Sequence, residues 1–318
     1  MLHPALAGYL ERSHTDALVV LQDGTVVTEW YAPEVTPDDR HILFSVTKSV
    51  VGIVASSLIH EAIIDESATV ASYVPEAIRG GYGTATVRHL LDMTANIRFV
   101  EDYDGPDVQR YRRAAGQLPS ASSEGIHSFI SALPSAGPHG TSFSYISPTA
   151  DMAGWVCERA AGLSLADLIS KYVWLPMGAE HEADLLLDPY GAARASGGLC
   201  ATARDMARIG QFLLDSHRDR VAGGAAVDLR RPGDRAAWAA GTLAEFLPGA
   251  AYCGFWYQPG GDPGVFLAAG IFGQRIYVDV PRRVVVAQQA SLPDSFDPQT
   301  WPETIPAFAG LARALDGG

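Results

Sequence analysis

The sequence predicts an α/β (α+β) fold: an antiparallel five-stranded sheet built from both termini, flanked by helices, with a mostly helical domain inserted. Three observations lead to it. A β-hairpin pattern opens the chain, helical periodicity fills its middle, and strand patterns return near the carboxyl end. With 318 residues, 47% of them hydrophobic and 19% charged, the chain can bury a large core and form two lobes.

The elements follow in order. Residues 1–12 read as a short amphipathic helix with Leu2, Leu6, Tyr9 and Leu10 inward; a basic stretch leading into an apolar run, the mark of a signal peptide, is missing. Ala17 to Leu21 and Val26 to Tyr31 form the hairpin, turning at Asp23-Gly24, a pair suited to tight turns. The run from Val46 to Ile59 reads as a helix buried on most faces. From about residue 65 to 235 the signals are helical, broken by Gly/Pro-rich loops, with Arg218 to Arg235 an exposed connection. Strand patterns resume at Cys253–Tyr257, at Val265–Ala269 leading into Arg275–Asp279, and at Val284–Ala287, before a last amphipathic helix from Pro302 to Leu315. The expected organisation is a discontinuous sheet domain, residues 1–64 and 236–318, and a helical domain, residues 65–235, with the active site at their interface.

Composition narrows the function. A net charge of -13 gives no electrostatic footprint for nucleic acid or an anionic membrane, and no run is apolar enough to span a bilayer. Three widely spaced cysteines, Cys157, Cys200 and Cys253, read as reduced thiols of a cytoplasmic protein. His181-Glu182 lacks a second histidine at ligand spacing, and there is no P-loop, G-x-G-x-x-G or G-x-S-x-G. No cofactor and no metal are expected. The oligomeric state is not legible.

The chemistry concentrates at Phe44-Ser45-Val46-Thr47-Lys48-Ser49. Positions i and i+3 share a helix face, which brings the Lys48 amine to the Ser45 hydroxyl. The chain has two lysines, Lys48 and Lys171, and one stands at this spacing on an apolar helix. Desolvation there disfavours the ammonium and leaves an amine able to act as base, so that a serine nucleophile needs no histidine. The alternative is Ser45 as a helix cap, with Lys48 running along the surface.

Two further elements are needed. Tyr145, in Tyr145-Ile146-Ser147, is the candidate acid/base, its phenol pKa lowered by the lysine ammonium. Read alone, Ser147-Pro148 is the N-cap and first turn of the next helix, with Tyr145 an aromatic outside it. Ala268-Ala269-Gly270-Ile271-Phe272-Gly273-Gln274 is either a bend between strands or a place where substrate approaches the backbone, the N–H groups of Ile271 and Ser45 forming an oxyanion hole.

Together these segments resemble the serine β-lactamase and penicillin-recognising superfamily, in its class C-like branch of esterases and 6-aminohexanoate-dimer hydrolases. Phe44–Ser49 is similar to the nucleophile motif, Leu90-Leu91-Asp92-Met93-Thr94-Ala95 to L-L-x-M-T-S, and Tyr145-Ile146-Ser147 to Y-x-N or Y-x-S. Leu175-Pro176-Met177-Gly178 resembles P-L-G-M, and Gly197-Gly198-Leu199 with Thr202–Arg208 resembles G-G-L…T-x-x-D-L-A-R. The resemblance implies a β-lactamase-like fold. It implies Ser45 as acyl-forming nucleophile, Lys48 as its base, Tyr145 as acid/base, and Ile271 as oxyanion donor. Tyr103, Ser147 and Gly270 are implied contacts to substrate or leaving group. The usual K-T-G or H-x-G third motif is replaced by Ala268-Ala269-Gly270, which lacks the cation and hydroxyl that help hold a substrate carboxylate. Which faces Arg275 and Tyr103 take stays open. The expected activity is hydrolysis of a small ester or linear amide rather than efficient β-lactam hydrolysis. Acyl transfer from the same serine is the alternative, and a non-catalytic binding protein a more remote one.

Overall fold

The computed structural model describes residues 4–119, 124–215, 231–261, 263–297 and 300–316. Leu2 and most of the expected connection from Arg218 lie outside these. The described residues form ten strands: β1 (Thr15–Gln22), β2 (Thr25–Tyr31), β3 (His41–Ile42), β4 (Asp184–Leu185), β5 (Leu199–Ala201), β6 (Ala251–Cys253), β7 (Trp256–Gln258), β8 (Val265–Ala269), β9 (Arg275–Asp279) and β10 (Val284–Ala290). The main sheet runs β2-β1-β10-β9-β8-β7-β6, and each of its neighbouring pairs is antiparallel.

The hairpin between β1 and β2 turns at Asp23 and Gly24, both with positive φ, as the Asp-Gly pair predicts. β1 pairs on its other side with β10, so the two ends of the chain meet in the middle of the sheet. The main sheet has seven strands rather than the five expected of the fold: all six strand patterns read from the sequence join it, and one of them divides in two. The stretch Cys253–Tyr257, read as one strand, is a second tight hairpin. Gly254 and Phe255 both adopt positive φ, and the chain reverses between β6 and β7. Phe255 is not a residue that announces such a turn; the Leu91 carbonyl, accepting its N–H at 3.0 Å, and its buried ring hold it there.

Five helices matter for the site: α1 (Pro4–Arg12), α2 (Val46–His60), α3 (Ser147–Ala161), α4 (Ala203–Asp215) and α5 (Thr300–Asp316). α4 packs over β1, β9 and β10, and α5 packs on β9 and β10. α2 is buried through Val50, Val51, Ile53, Val54 and Leu58, each contributing about 1.5–3 kcal/mol by leaving water. A small sheet in the order β3-β5-β4 lies beside the start of α2. It clips residues 196–199 to the nucleophile turn: the Leu43 N–H donates to the Leu199 carbonyl at 2.8 Å, and the Leu199 N–H donates to Thr47 Oγ1 at 3.0 Å.

Candidate active site

Ser45 occupies the cap position of α2, yet its side chain makes no capping bond. Its hydroxyl instead accepts from Lys48 Nζ at 2.7 Å. Lys48 is 1% exposed and donates also to the Ser196 carbonyl at 2.6 Å. No carboxylate bonds to it among the described residues. Burial pulls its pKa down to about 8, while the more distant Glu101 and Asp151 carboxyls act in the opposite direction and Arg194 adds to the lowering. The desolvated amine read from the sequence is present in the fold.

Tyr145 lies beside this pair, its ring centroid 5.1 Å from Lys48 Nζ. The expected lowering of its phenol pKa is reversed. Burial raises it, and the neighbouring Ser45 and Tyr257 hydroxyls only partly counter that. Tyr145 therefore stays a neutral phenol at neutral pH. Ser147 also departs from the sequence reading. It is the first residue of α3, and its hydroxyl is buried against Glu101 rather than facing the cleft. Both Ser147 donors, N–H at 2.8 Å and Oγ–H, go to the Glu101 carboxyl, whose pKa is raised by burial. A carboxyl at the N-terminus of α3 thus does the work a cap would do.

The third segment closes on Ser45 because residue 270 is glycine. A Cβ there would lie 2.7 Å from the Leu43 carbonyl oxygen and 3.2 Å from the Ser45 nitrogen. The end of β8 can therefore lie against the start of α2. The Gly270 N–H donates to the Gln274 carbonyl at 2.8 Å, closing the turn before β9. Phe44 and Phe272, which precede Ser45 and follow Ile271, both hold positive φ, and their rings pack at 5.2 Å. Such backbone costs about 1–3 kcal/mol per residue and persists only where packing enforces it. The Ser45 and Ile271 N–H groups form no hydrogen bond among the described residues.

A cleft of about 650 Å³ opens over Ser45. Tyr103, Tyr145, Gly270 and Ile271 line it, and so does Arg275. Phe99, Trp238, Leu243, Phe246 and Trp301 make its walls largely apolar. Both faces left open by the sequence are thereby assigned. A second cavity, about 730 Å³, is lined by Lys171, Arg204 and Arg208 among others. Arg204 is paired with Glu29 and Arg208 with Glu180.

Sequence reasoning missed Ser196, Asp151 and the Glu101 carboxyl. Asp151 accepts from the Ser196 N–H at 2.7 Å and from the Tyr111 hydroxyl, fixing the segment whose carbonyl holds Lys48. Their one sequence signal was adjacency: Ser196 precedes Gly197-Gly198-Leu199, and Asp151 follows Ser147 by one helical turn.

A family model described as Beta-lactamase matches residues 5–304. The 6-aminohexanoate-dimer hydrolase of Paenarthrobacter ureafaciens is 34% identical over 325 residues, covering 98% of this chain and 82% of that protein. A solved structure from Bacillus anthracis, provisionally named a 6-aminohexanoate-dimer hydrolase, superposes with a TM-score of 0.85 at 26% identity, over 98% of this chain and 82% of that one. The structure of EstCE1, a hydrolase with promiscuous acyltransferase activity, shares the fold at a TM-score of 0.71 and 15% identity, over 94% of this chain and 96% of that one.

Proposed function

The chain belongs to the β-lactamase family, and from that premise we propose that it is a serine hydrolase acting through a covalent acyl-enzyme on a small ester or linear amide. The observation that carries this reading is the 2.7 Å contact between a buried amine and a serine hydroxyl that caps nothing. Neutral Lys48 takes the Oγ proton as Ser45 attacks the carbonyl, and the new C–O bond pushes charge onto the carbonyl oxygen. The Ser45 and Ile271 N–H groups receive that charge. Lys48 passes the proton through the Tyr145 hydroxyl to the departing oxygen or nitrogen, and the acyl–leaving-group bond breaks. Water, deprotonated by the same groups, then cleaves the acyl-enzyme and restores Ser45.

The 6-aminohexanoate-dimer relative supports a linear amide as one substrate type. Ala268 and Ala269 offer neither cation nor hydroxyl at the third motif, so efficient β-lactam hydrolysis is not part of the proposal. Tyr103 lines the cleft wall, which supports its assignment as a contact to the leaving group. The apolar walls favour acyl transfer to an alcohol or amine as the second reading, since water exclusion decides between acceptors. Cys157, Cys200 and Cys253 form no disulfide among the described residues, which supports a reducing, cytoplasmic compartment, and no helix among the described residues is long and apolar enough to cross a membrane.

A fluorophosphonate probe and p-nitrophenyl esters test the reading together. The expected result is one covalent adduct on Ser45 by mass spectrometry, with ester turnover abolished by Ser45→Ala. Turnover surviving Ser45→Ala would overturn the nucleophile; no labelling of the wild-type protein would favour a binding protein. Product analysis with a competing amine separates hydrolysis from transfer.

A further inference from the structure

Arg275 is the most conspicuous charge in the cleft that the acylation chemistry does not use. It is the first residue of β9, paired with Ala269 of β8, and its side chain lines the cleft alongside Ala269 and Gly270. The residue is 6% exposed. One guanidinium nitrogen, Nη1, donates to the Gly270 carbonyl at 2.5 Å and the Gln274 carbonyl at 2.8 Å, which fixes the plane of the fork. The Trp301 ring lies 4.3 Å from Cζ and stacks on that plane.

Its remaining donors are not satisfied. Among the described residues Nε is buried without a partner, and Nη2 makes no hydrogen bond. Arg275 forms no ion pair with a carboxylate among the described residues; the ionisable groups acting on it are the phenols of Tyr9, Tyr257 and Tyr145. A buried guanidinium without an acid is costly unless something else completes it. A fork held by two carbonyls and an indole, with Nη2 left to donate beside a cleft, is suited to hold an anion there by a charge-assisted hydrogen bond.

We propose that Arg275 anchors a carboxylate of the substrate, so that the favoured esters or amides carry an anionic group a few bonds from the scissile carbonyl. This rests on the acyl-enzyme reading of the same cleft and narrows its substrate class. The cation absent from Ala268-Ala269-Gly270 is thereby supplied one strand further on, from β9. Its hydrogen bond to the Gly270 carbonyl couples the anchor to the segment that carries the Ile271 N–H, so an occupied anchor also steadies the oxyanion donor.

The test compares mono-p-nitrophenyl succinate, glutarate and adipate with the neutral butyrate, valerate and hexanoate esters of matched length. At one chain length or more, kcat/KM is expected to favour the anionic ester by about 10- to 100-fold, the usual worth of hydrogen bonds to a charge. Arg275→Gln should bring that ratio towards one, with Arg275→Lys in between. The ratio is the readout, because a merely structural role would lower both esters alike. No anionic preference at any length, or an unchanged ratio in Arg275→Gln, overturns the anchor. Calorimetric binding of glutarate and adipate to the Ser45→Ala protein reads the anchor without turnover, and Arg275→Gln in that background should abolish it. Dicarboxylate binding in a protein whose Ser45 is never acylated would sink the hydrolase reading and keep the anchor. Ester turnover with neither anionic preference nor dicarboxylate binding would do the reverse.

Discussion

Lys48 shows how function and stability pull against each other at a single residue. Moving its pKa from 10.5 to about 8 by burial corresponds to about 3 kcal/mol at 1.36 kcal/mol per unit. Between those two pH values the unfolded chain binds more protons than the folded one, so stability rises with pH across the window. The whole penalty is present below about pH 8. Lys48→Met is expected to cut ester turnover by at least about 10²-fold. It should also raise Tm at neutral pH, with the gain shrinking as pH climbs towards 10.5. Thermal unfolding of both proteins from about pH 6 to pH 10 checks this, and a gap that does not change with pH would contradict it. The kcat/KM of the wild type should rise through about pH 8 as Lys48 becomes neutral. Tyr145, its pKa raised, contributes no second limb in that range.

At the scale of elements, α2 is held in place by a backbone contact that allows no side chain. A Cβ on Gly52 would sit 2.0 Å from the Gly254 carbonyl oxygen, at the turn between β6 and β7. Gly52→Ala must push α2 off that turn, at a cost of about 1–3 kcal/mol or more, read as a lower denaturant midpoint with unchanged slope. Because Ser45 and Lys48 ride on α2, turnover should fall with it. None of this was visible in the sequence, since Gly52 is an ordinary small residue in an apolar run, and its constraint comes from a segment two hundred residues away. What was legible was local. The hydroxyl–amine spacing on α2 needed only helical periodicity, and the first hairpin announced itself through Asp23-Gly24. The second hairpin did not, because Phe255 takes positive φ under tertiary packing that no propensity encodes. Tyr145 could be placed by its segment, but the direction of its pKa shift depended on burial, a property of the assembled cleft. Ser147 was read as a cap for the same reason: the carboxyl that takes its hydrogen bonds, Glu101, comes from a loop.

The whole molecule is closed by its ends. β1 and β10 pair in the middle of the sheet, and Tyr9 of α1 donates to Gln288 of β10 at 2.8 Å and to Thr304 of α5 at 3.3 Å. The sheet cannot be completed until residues nearly the full chain apart have met, a long-range closure that slows folding. α5 takes part in this closure and in the cleft through different residues. Phe308 is fully buried, edge-on to Tyr9 at 5.9 Å and Tyr277 at 6.0 Å. Trp301, one end of the same helix, stacks on Arg275 in the cleft wall. Phe308→Ala should therefore cost about 3–5 kcal/mol of stability while kcat/KM, measured well below its lowered Tm, changes little. Trp301→Ala is half-buried and should cost less stability, but it frees the guanidinium plane and should lower kcat/KM for esters. Parallel unfolding and kinetic measurements on the two variants decide the matter. Equal losses in both properties for both variants would mean that α5 acts only as a lid on the sheet, with no separate part in shaping the site.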